Sequence, residues 1–299
     1  LFLKNLIGGE KTCEAVSAYC LGVTKNRDVI FYQLDKEGRC RTGKIMKYDR
    51  KTGHRVKDEK VGGKITWVHA ILRLSKNPSL RLPDGWELTQ CLFGEHLLKQ
   101  HPTRPVALVE SEKTAVICSA FWPQYIWLAT GGKSQLNDRL QVLRGRKVVA
   151  FPDVDGYLEW KEKLSRVRGL DIVVSDVLEK EASFEDRANH VDIADLLIRQ
   201  QREERVEVEV AGGRGGFEGF EGFEGFEGFE GFGEFGEHGD ARVPGGFGES
   251  GAPLSHPTFL KLKKLLGVGN MEEVALLVAG LDLEVVGIGG ANRAEPKEN

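Results

Sequence analysis

The chain has 299 residues, about two domains' worth as a length prior, and its 40% hydrophobic residues are enough for a sizeable core. A net charge of -3 conceals an asymmetry: residues 1–150 carry 26 Lys and Arg against 14 Asp and Glu, and residues 151–299 carry 16 against 31, so a half suited to a polyanion precedes a half suited to a cation or to solvation. No apolar run approaches the roughly 18 residues of a membrane span, the opening LFLKNLIGGEK lacks a secretory-signal pattern, and five dispersed cysteines without a CxxC argue against a zinc site among them and suit reduced thiols; a cytoplasmic protein with no membrane partner is expected.

In chain order, residues 1–105 read as a small basic α+β module. LFLKNLIGGEKTCEAVSAY is helical with a break at Gly8-Gly9, and DVIFYQLDKEGRCRTGKIMKYDRKTGHR reads as antiparallel strands turned at Asp35-Lys36-Glu37-Gly38 and Lys51-Thr52-Gly53. Trp67 and His69 in KITWVHAIL read as half-buried strand residues, with a stacking role for Trp67 as the lesser alternative, and His96 and His190, without paired ligands, read as structural.

Residues 106–205 alternate short apolar runs with helical patterns. VALVE (106–110), IWLAT (126–130), KVVAFPD (147–153) and DIVVSDV (171–177) read as strands; KTAVICSAFW, LNDRLQVL, GYLEWKEKLSRV and DIADLLIRQQ read as helices. This order gives an α/β fold with a parallel sheet and crossover helices, whose chemistry sits at the carboxyl ends of the strands. Residues 206–253 form a Gly/Phe/Glu low-complexity linker with five Phe-Glu-Gly triplets from Phe217 to Gly231. Glycine at every third position opposes a helix and a period of three suits no strand. Residues 254–285 read as a short helical pair, opened by Pro257 and divided at Gly267 and Asn270.

Two strand ends carry acids: Glu110 after the first, Asp153 and Asp155 after the third. Singly, each reads as a solvated turn residue or helix cap. Together, on neighbouring parallel strands, three carboxylates need a cation to stay ionised, and an all-oxygen set favours Mg²⁺. The Gly131-Gly132 turn delivers Lys133 towards a phosphate or stands as a plain turn. The stretch Arg39 to Lys64 holds ten Lys or Arg against three acids, which favours contact with a phosphate backbone.

The runs VALVESEKTAVI, ATGGKS, VVAFPDVDGY and VDIADLL resemble a toprim domain, the metal-dependent module of primases, topoisomerases and some nucleases. CLFGEHLL is similar to the Leu-Phe-Gly helix that leads into the toprim of phage primase-helicases, and LGVTKNRDVIFYQLDKEGRCRTGKIMKY to the basic subdomain before toprim in bacterial and phage primases. Residues 1 to about 200 thus look like a toprim-containing, primase-like family of bacterial mobile elements. Glu110-Ser111 stands where that family has Glu-Gly, Gly156-Tyr157 follows the Asp-x-Asp in place of small residues, and no zinc ribbon is present.

The resemblance implies Mg²⁺ (or Mn²⁺) held by Glu110, Asp153 and Asp155, with Asp192 as an outer ligand. It also implies phosphate or nucleotide contacts at Lys113, Gly131, Gly132 and Lys133, and single-stranded DNA template and nucleotides as partners, alongside a helicase or other replication protein. Arg41, Lys44 and Lys47 are the expected contacts to the nucleic-acid backbone. A primase-like nucleotidyltransferase is the leading expectation; the alternatives are a toprim nuclease with the same metal ligands and a non-catalytic toprim scaffold that binds nucleic acid for a replication or mobilisation complex. Asp153-Val154-Asp155-Gly156 also resembles a haloacid-dehalogenase-type phosphatase motif, but it lies on the third strand and Tyr157 replaces the needed Thr. Gly132-Lys133-Ser134 matches the end of a phosphate-binding P-loop, whose first Gly would fall at Trp127.

Overall fold

Glycine decides where the first helical stretch breaks. In the computed structural model, which describes residues 1–58, 60, 64–210 and 283–285 (for 204–210 and 283–285 the backbone), helices α1 (Phe2–Ile7) and α2 (Gly9–Ala18) part at Gly8. Its φ of +81° is a conformation that favours glycine. Next come β1 (Gly22–Thr24), β2 (Val29–Leu34) and β3 (Cys40–Met46), then β4 (Thr66–Trp67), which runs directly into α3 (Val68–Arg73). Between β2 and β3 the Asp35 carboxylate accepts hydrogen bonds from the backbone N–H of Glu37 (3.1 Å) and Arg39 (2.9 Å), as an Asx-type turn requires. The strand expected across KITWVHAIL therefore ends at Trp67, and His69 sits on a helix.

Pairing registers give this antiparallel sheet two unlike faces. Phe31 lies opposite Lys44 and Gln33 opposite Thr42, while Ile30 lies opposite Ile45 and Tyr32 opposite Gly43; side chains of paired residues share a face and alternate along each strand. Ile30 and Ile45 pack with Val68 and Leu72 of α3 in a small core. Gly43 is required there, since a Cβ would stand 2.9 Å from Val68 Cγ2. The other face looks towards the rest of the chain. The sheet order is β4-β3-β2-β1-β9, where β9 is Leu283–Val285; that strand lies at the end of the expected helical pair, the remainder of which falls outside the described residues.

After α4 (Leu97–Gln100), the second half builds β5 (Val106–Val109), α5 (Glu112–Phe121), β6 (Ile126–Ala129), β7 (Lys147–Ala150), α6 (Tyr157–Ser165), β8 (Asp171–Val174), α7 (Val177–Glu181), α8 (Phe184–Ala188) and α9 (Ile193–Val210). The four strands are parallel in the order β6-β5-β7-β8, so the chain is an α/β protein with a helix-flanked parallel sheet beside an antiparallel one. β5 and β6 are buried at every position, which explains their unbroken apolar runs.

Three expectations are corrected. LNDRLQVL forms a 3-10 turn, Asp138–Leu143. CLFGEHLL is not helical until Leu97, because Gly94 takes φ +82° while Phe93 exchanges backbone hydrogen bonds with Ala129 (3.0 and 3.1 Å) at the sheet edge. α9 continues to Val210, beyond the expected linker start at 206, since no glycine interrupts the chain before Gly212.

One cluster of buried side chains spans position 105, running from Ile7 through Phe31 and Phe93 to Ile198. Tyr19 stacks on Phe93 with centroids 5.1 Å apart and its hydroxyl donates to the carbonyl of Trp127 at 2.8 Å. The antiparallel module is thereby packed onto the parallel sheet. All five cysteines are free thiols, and among the described residues no helix is long and apolar enough to cross a membrane.

Candidate active site

Adjacent parallel strands bring their carboxyl ends into one row. β5 delivers Glu110, β6 delivers Thr130-Gly131-Gly132-Lys133, and β7, in the middle of the sheet beside β5, delivers Asp153 and Asp155. The ends are tied together by backbone bonds: Gly131 N–H donates to the carbonyl of Glu110 (2.9 Å) and Phe151 N–H to that of Leu108 (2.8 Å). Gly156 N–H donates to the carbonyl of Asp153 (2.7 Å), closing a tight turn into α6 that holds both aspartates on the same edge.

The acids sit in different electrostatic states. Burial drives the Asp153 carboxyl up to about 8, with Asp192, Glu110, Asp155 and Asp195 adding repulsion. No described residue gives it a hydrogen bond or an ion pair. Burial likewise raises Glu110, partly offset by the backbone N–H and the charge of Lys133. Asp155 is pushed up by burial but pulled further down by the hydrogen bond and charge of Lys133, whose ammonium lies 3.1 Å from Asp155 Oδ2 and 3.9 Å from Glu159 Oε2.

Asp192 is almost wholly buried. Its oxygens accept from the Thr114 hydroxyl and from the Asp195 N–H (3.1 Å), and Asp195 returns a bond to the Asp192 N–H (3.1 Å), a reciprocal cap on α9. Asp192 therefore acts on Asp153 through its charge, not as a free ligand. Lys113, half-buried at the start of α5, is the cation that offsets Asp192.

Gly131 has φ +82°, and a Cβ there would lie 3.1 Å from Glu112 Oε1. Glycine is thus required by backbone and by space. The Lys44 ammonium donates to Glu112 Oε2 and to the Gly131 carbonyl, both at 3.0 Å. Lys44 was expected at the nucleic-acid backbone; this is a correction, because its side chain is 11% exposed and committed to a buried carboxylate. Its neighbours differ. Arg41 is half-exposed and paired with Asp35 at 2.7 Å, and Lys47 is half-buried at the end of β3.

Sequence reasoning missed Glu112, His190 and Glu159. His190 Nδ1 stands 3.7 Å from Asp155 Oδ2, on a backbone with φ +52°. Its solitary place in the sequence gave no hint of this. Glu112 is two residues from Glu110, a proximity that could have marked it. Its partner Lys44 is 68 positions away.

The donor set fits a hard cation in chemistry: every candidate ligand is a carboxylate, and one, Asp153, is half-buried without a partner among the described residues. It is not drawn together as a closed cage. Among the described residues no group of three or more His, Cys, Asp or Glu side chains is close enough to hold a metal ion, because Asp155 turns to Lys133 and Asp192 caps a helix.

The model of a family described as a domain of unknown function (DUF6371) matches residues 1–154. Comparison with curated proteins finds no match. Among solved structures, the chain is similar to the crystal structure of the primase fragment of the bacteriophage T7 primase-helicase protein, at 14% identity and a TM-score of 0.36 over 67% of this chain and 69% of that one.

Proposed function

The chain belongs to the family described as a domain of unknown function (DUF6371), a membership that names no reaction, and we propose from its own residues that it is a toprim-type, primase-like nucleotidyltransferase acting on single-stranded nucleic acid. The observation that carries the reading is Asp153: a half-buried carboxyl at a strand end, without a hydrogen-bond partner among the described residues and pushed up to about 8 by loss of solvent and by its acidic neighbours. A group in that state gains most from a divalent cation.

Asp153, Glu110 and Asp155 would hold Mg²⁺ or Mn²⁺. When bound, such an ion lowers the pKa of a ligated hydroxyl and neutralises phosphate charge. Asp155 is half-exposed and tied to Lys133, so its recruitment requires Lys133 to let go, which frees an ammonium for the phosphates of a nucleotide. Glu110, already raised by burial, is suited to accept a proton from an attacking 3′-hydroxyl. Exposed cations of the N-terminal module would hold the template.

The test is a labelled single strand with and without nucleoside triphosphates in Mg²⁺. Lengthening that needs nucleotides, and that is lost in Asp153→Asn, is expected. Shortening without nucleotides would replace this reading by a nuclease, and no change in length under any divalent cation would reduce the chain to a binding scaffold.

A further inference from the structure

Five tryptophans are distributed unequally in this chain. Trp122, Trp127 and Trp160 belong to the main core, whereas Trp67 and Trp86, both half-buried, pack on neither hydrophobic cluster. They meet each other's surroundings through His69: its ring lies 5.8 Å from Trp67 and 6.0 Å from Trp86, nearly parallel to the latter at 26°. Arg73 sits over Trp86 at 5.6 Å. His69 is oriented by a 2.7 Å hydrogen bond between its Nδ1 and the Thr42 hydroxyl, and burial together with Arg73 favours its neutral form.

The place of this group in the fold matters as much as its composition. Trp67 pairs with Lys44 across β3 and β4, so both share a sheet face, and the Lys44 ammonium ends on the Gly131 carbonyl. Trp67 therefore shares the sheet face whose Lys44 reaches the Gly131 turn, and Thr42, which holds His69, lies on that face too. Its surroundings are basic: residues 64–86 contain Lys64, Arg73, Lys76 and Arg81 against Asp84 and no other acid. Lys76 and Arg81 are exposed. A row of partly open aromatic rings bordered by exposed cations matches bases on one side and phosphates on the other.

We propose that Trp67, His69 and Trp86, with Arg73, form a platform on which the bases of a single-stranded nucleic acid stack as the strand approaches the acidic site. This deepens the proposed function, on which it rests for its ligand class. It assigns affinity to base stacking as well as to charge, and to the β4–α3 edge instead of the Arg41–Lys47 stretch.

The probes are a fluorescent 12-mer of thymidylate, a 12-mer of uridylate, and an abasic 12-mer with the same phosphates, measured by polarisation without nucleotides. Each stacked base contributes about tenfold in affinity, so the intact protein should bind both base-bearing strands at least tenfold tighter than the abasic one. Trp67→Ala with Trp86→Ala should bring all three to one affinity and leave the salt slope unchanged, while Trp67→Phe with Trp86→Phe should keep the discrimination and show that the positions tolerate substitution. Equal binding of abasic and base-bearing strands by the intact protein, or discrimination surviving the alanine pair, overturns the platform. The strand-extension assay on the same samples separates the two claims. Base discrimination without extension supports the platform and removes the enzyme reading; extension without discrimination does the reverse.

Discussion

Replacing Lys44 by Met tests how the two sheets are joined. The Lys44 ammonium is the counter-ion of Glu112, whose side chain is 2% exposed and whose Oε1 already lacks a hydrogen-bond partner. Methionine keeps the length and removes the charge, leaving a buried carboxylate unpaired and the Gly131 carbonyl without its donor. Breaking a buried pair from one side costs about 3–5 kcal/mol, and for a unit of this size that lowers the thermal midpoint by roughly 6–20 °C. Adding Glu112→Met removes the orphaned charge, and the pair of substitutions should return to within about 1–2 kcal/mol of the native chain. Urea unfolding of the four members of the cycle, compared at constant slope, gives the coupling energy. A loss below about 1 kcal/mol for the single change, or no recovery in the double, refutes the buried-pair argument. The alternative role, a phosphate contact, predicts something else: unaltered stability and a salt dependence of single-strand binding flattened by about 0.7.

Asp153→Asn should stabilise the metal-free protein near neutrality and abolish the heat protection expected from Mn²⁺ on the proposed function. The native carboxyl titrates near 8 against an ordinary 3.8, so the native state keeps a proton that the unfolded chain releases; stability is full below pH 4 and declines as pH rises from about 4 to 8. Over the roughly three units to pH 7 this amounts to at most about 4 kcal/mol, and about 2 after solvent relaxation; identical pH profiles of the midpoint for the two proteins would contradict it. Lys133→Met should raise divalent-cation affinity several-fold in calorimetric titration, since Asp155 loses its competing partner, yet lower any nucleotide-dependent rate at saturating metal; a weaker metal site in this variant would show that Lys133 organises the acids instead of competing for them.

Much of the parallel sheet was legible because its signals are local. VALV, IWLA and the VVA of β7 are apolar runs too short for helices and buried on both faces, and the acids that follow the first and third stand at strand ends by counting alone. What escaped was set by contacts distant in sequence. Lys44 carries no mark that separates it from Arg41 or Lys47 in a basic stretch; only the fold puts Glu112 and the Gly131 carbonyl within 3.0 Å of it. His190 looks solitary until α8 and the turn before α9 bring it beside Asp155. Gly94 misled in the opposite direction, since the Leu-Phe-Gly segment reads as a helix although the left-handed backbone at that glycine forbids one.

Two lysines at the same turn show how the chain separates structure from exchange. Lys44 fixes the Gly131 carbonyl and the Glu112 carboxylate from below, with little contact with water. Two residues after Gly131, Lys133 leaves the same turn towards Asp155, with 36% of its side chain and 48% of that of Asp155 exposed. An ion pair with that much water around it is worth at most about 1 kcal/mol, so it can be traded for a cation at small cost, whereas the Lys44 pair cannot be broken without destabilising the fold. The first lysine holds the turn still; the second is aimed by it. That arrangement would let one carboxylate change partners while the backbone that carries Glu110, Asp153 and the glycine turn stays in place, and the proposed phosphoryl transfer would draw on such a preorganised site.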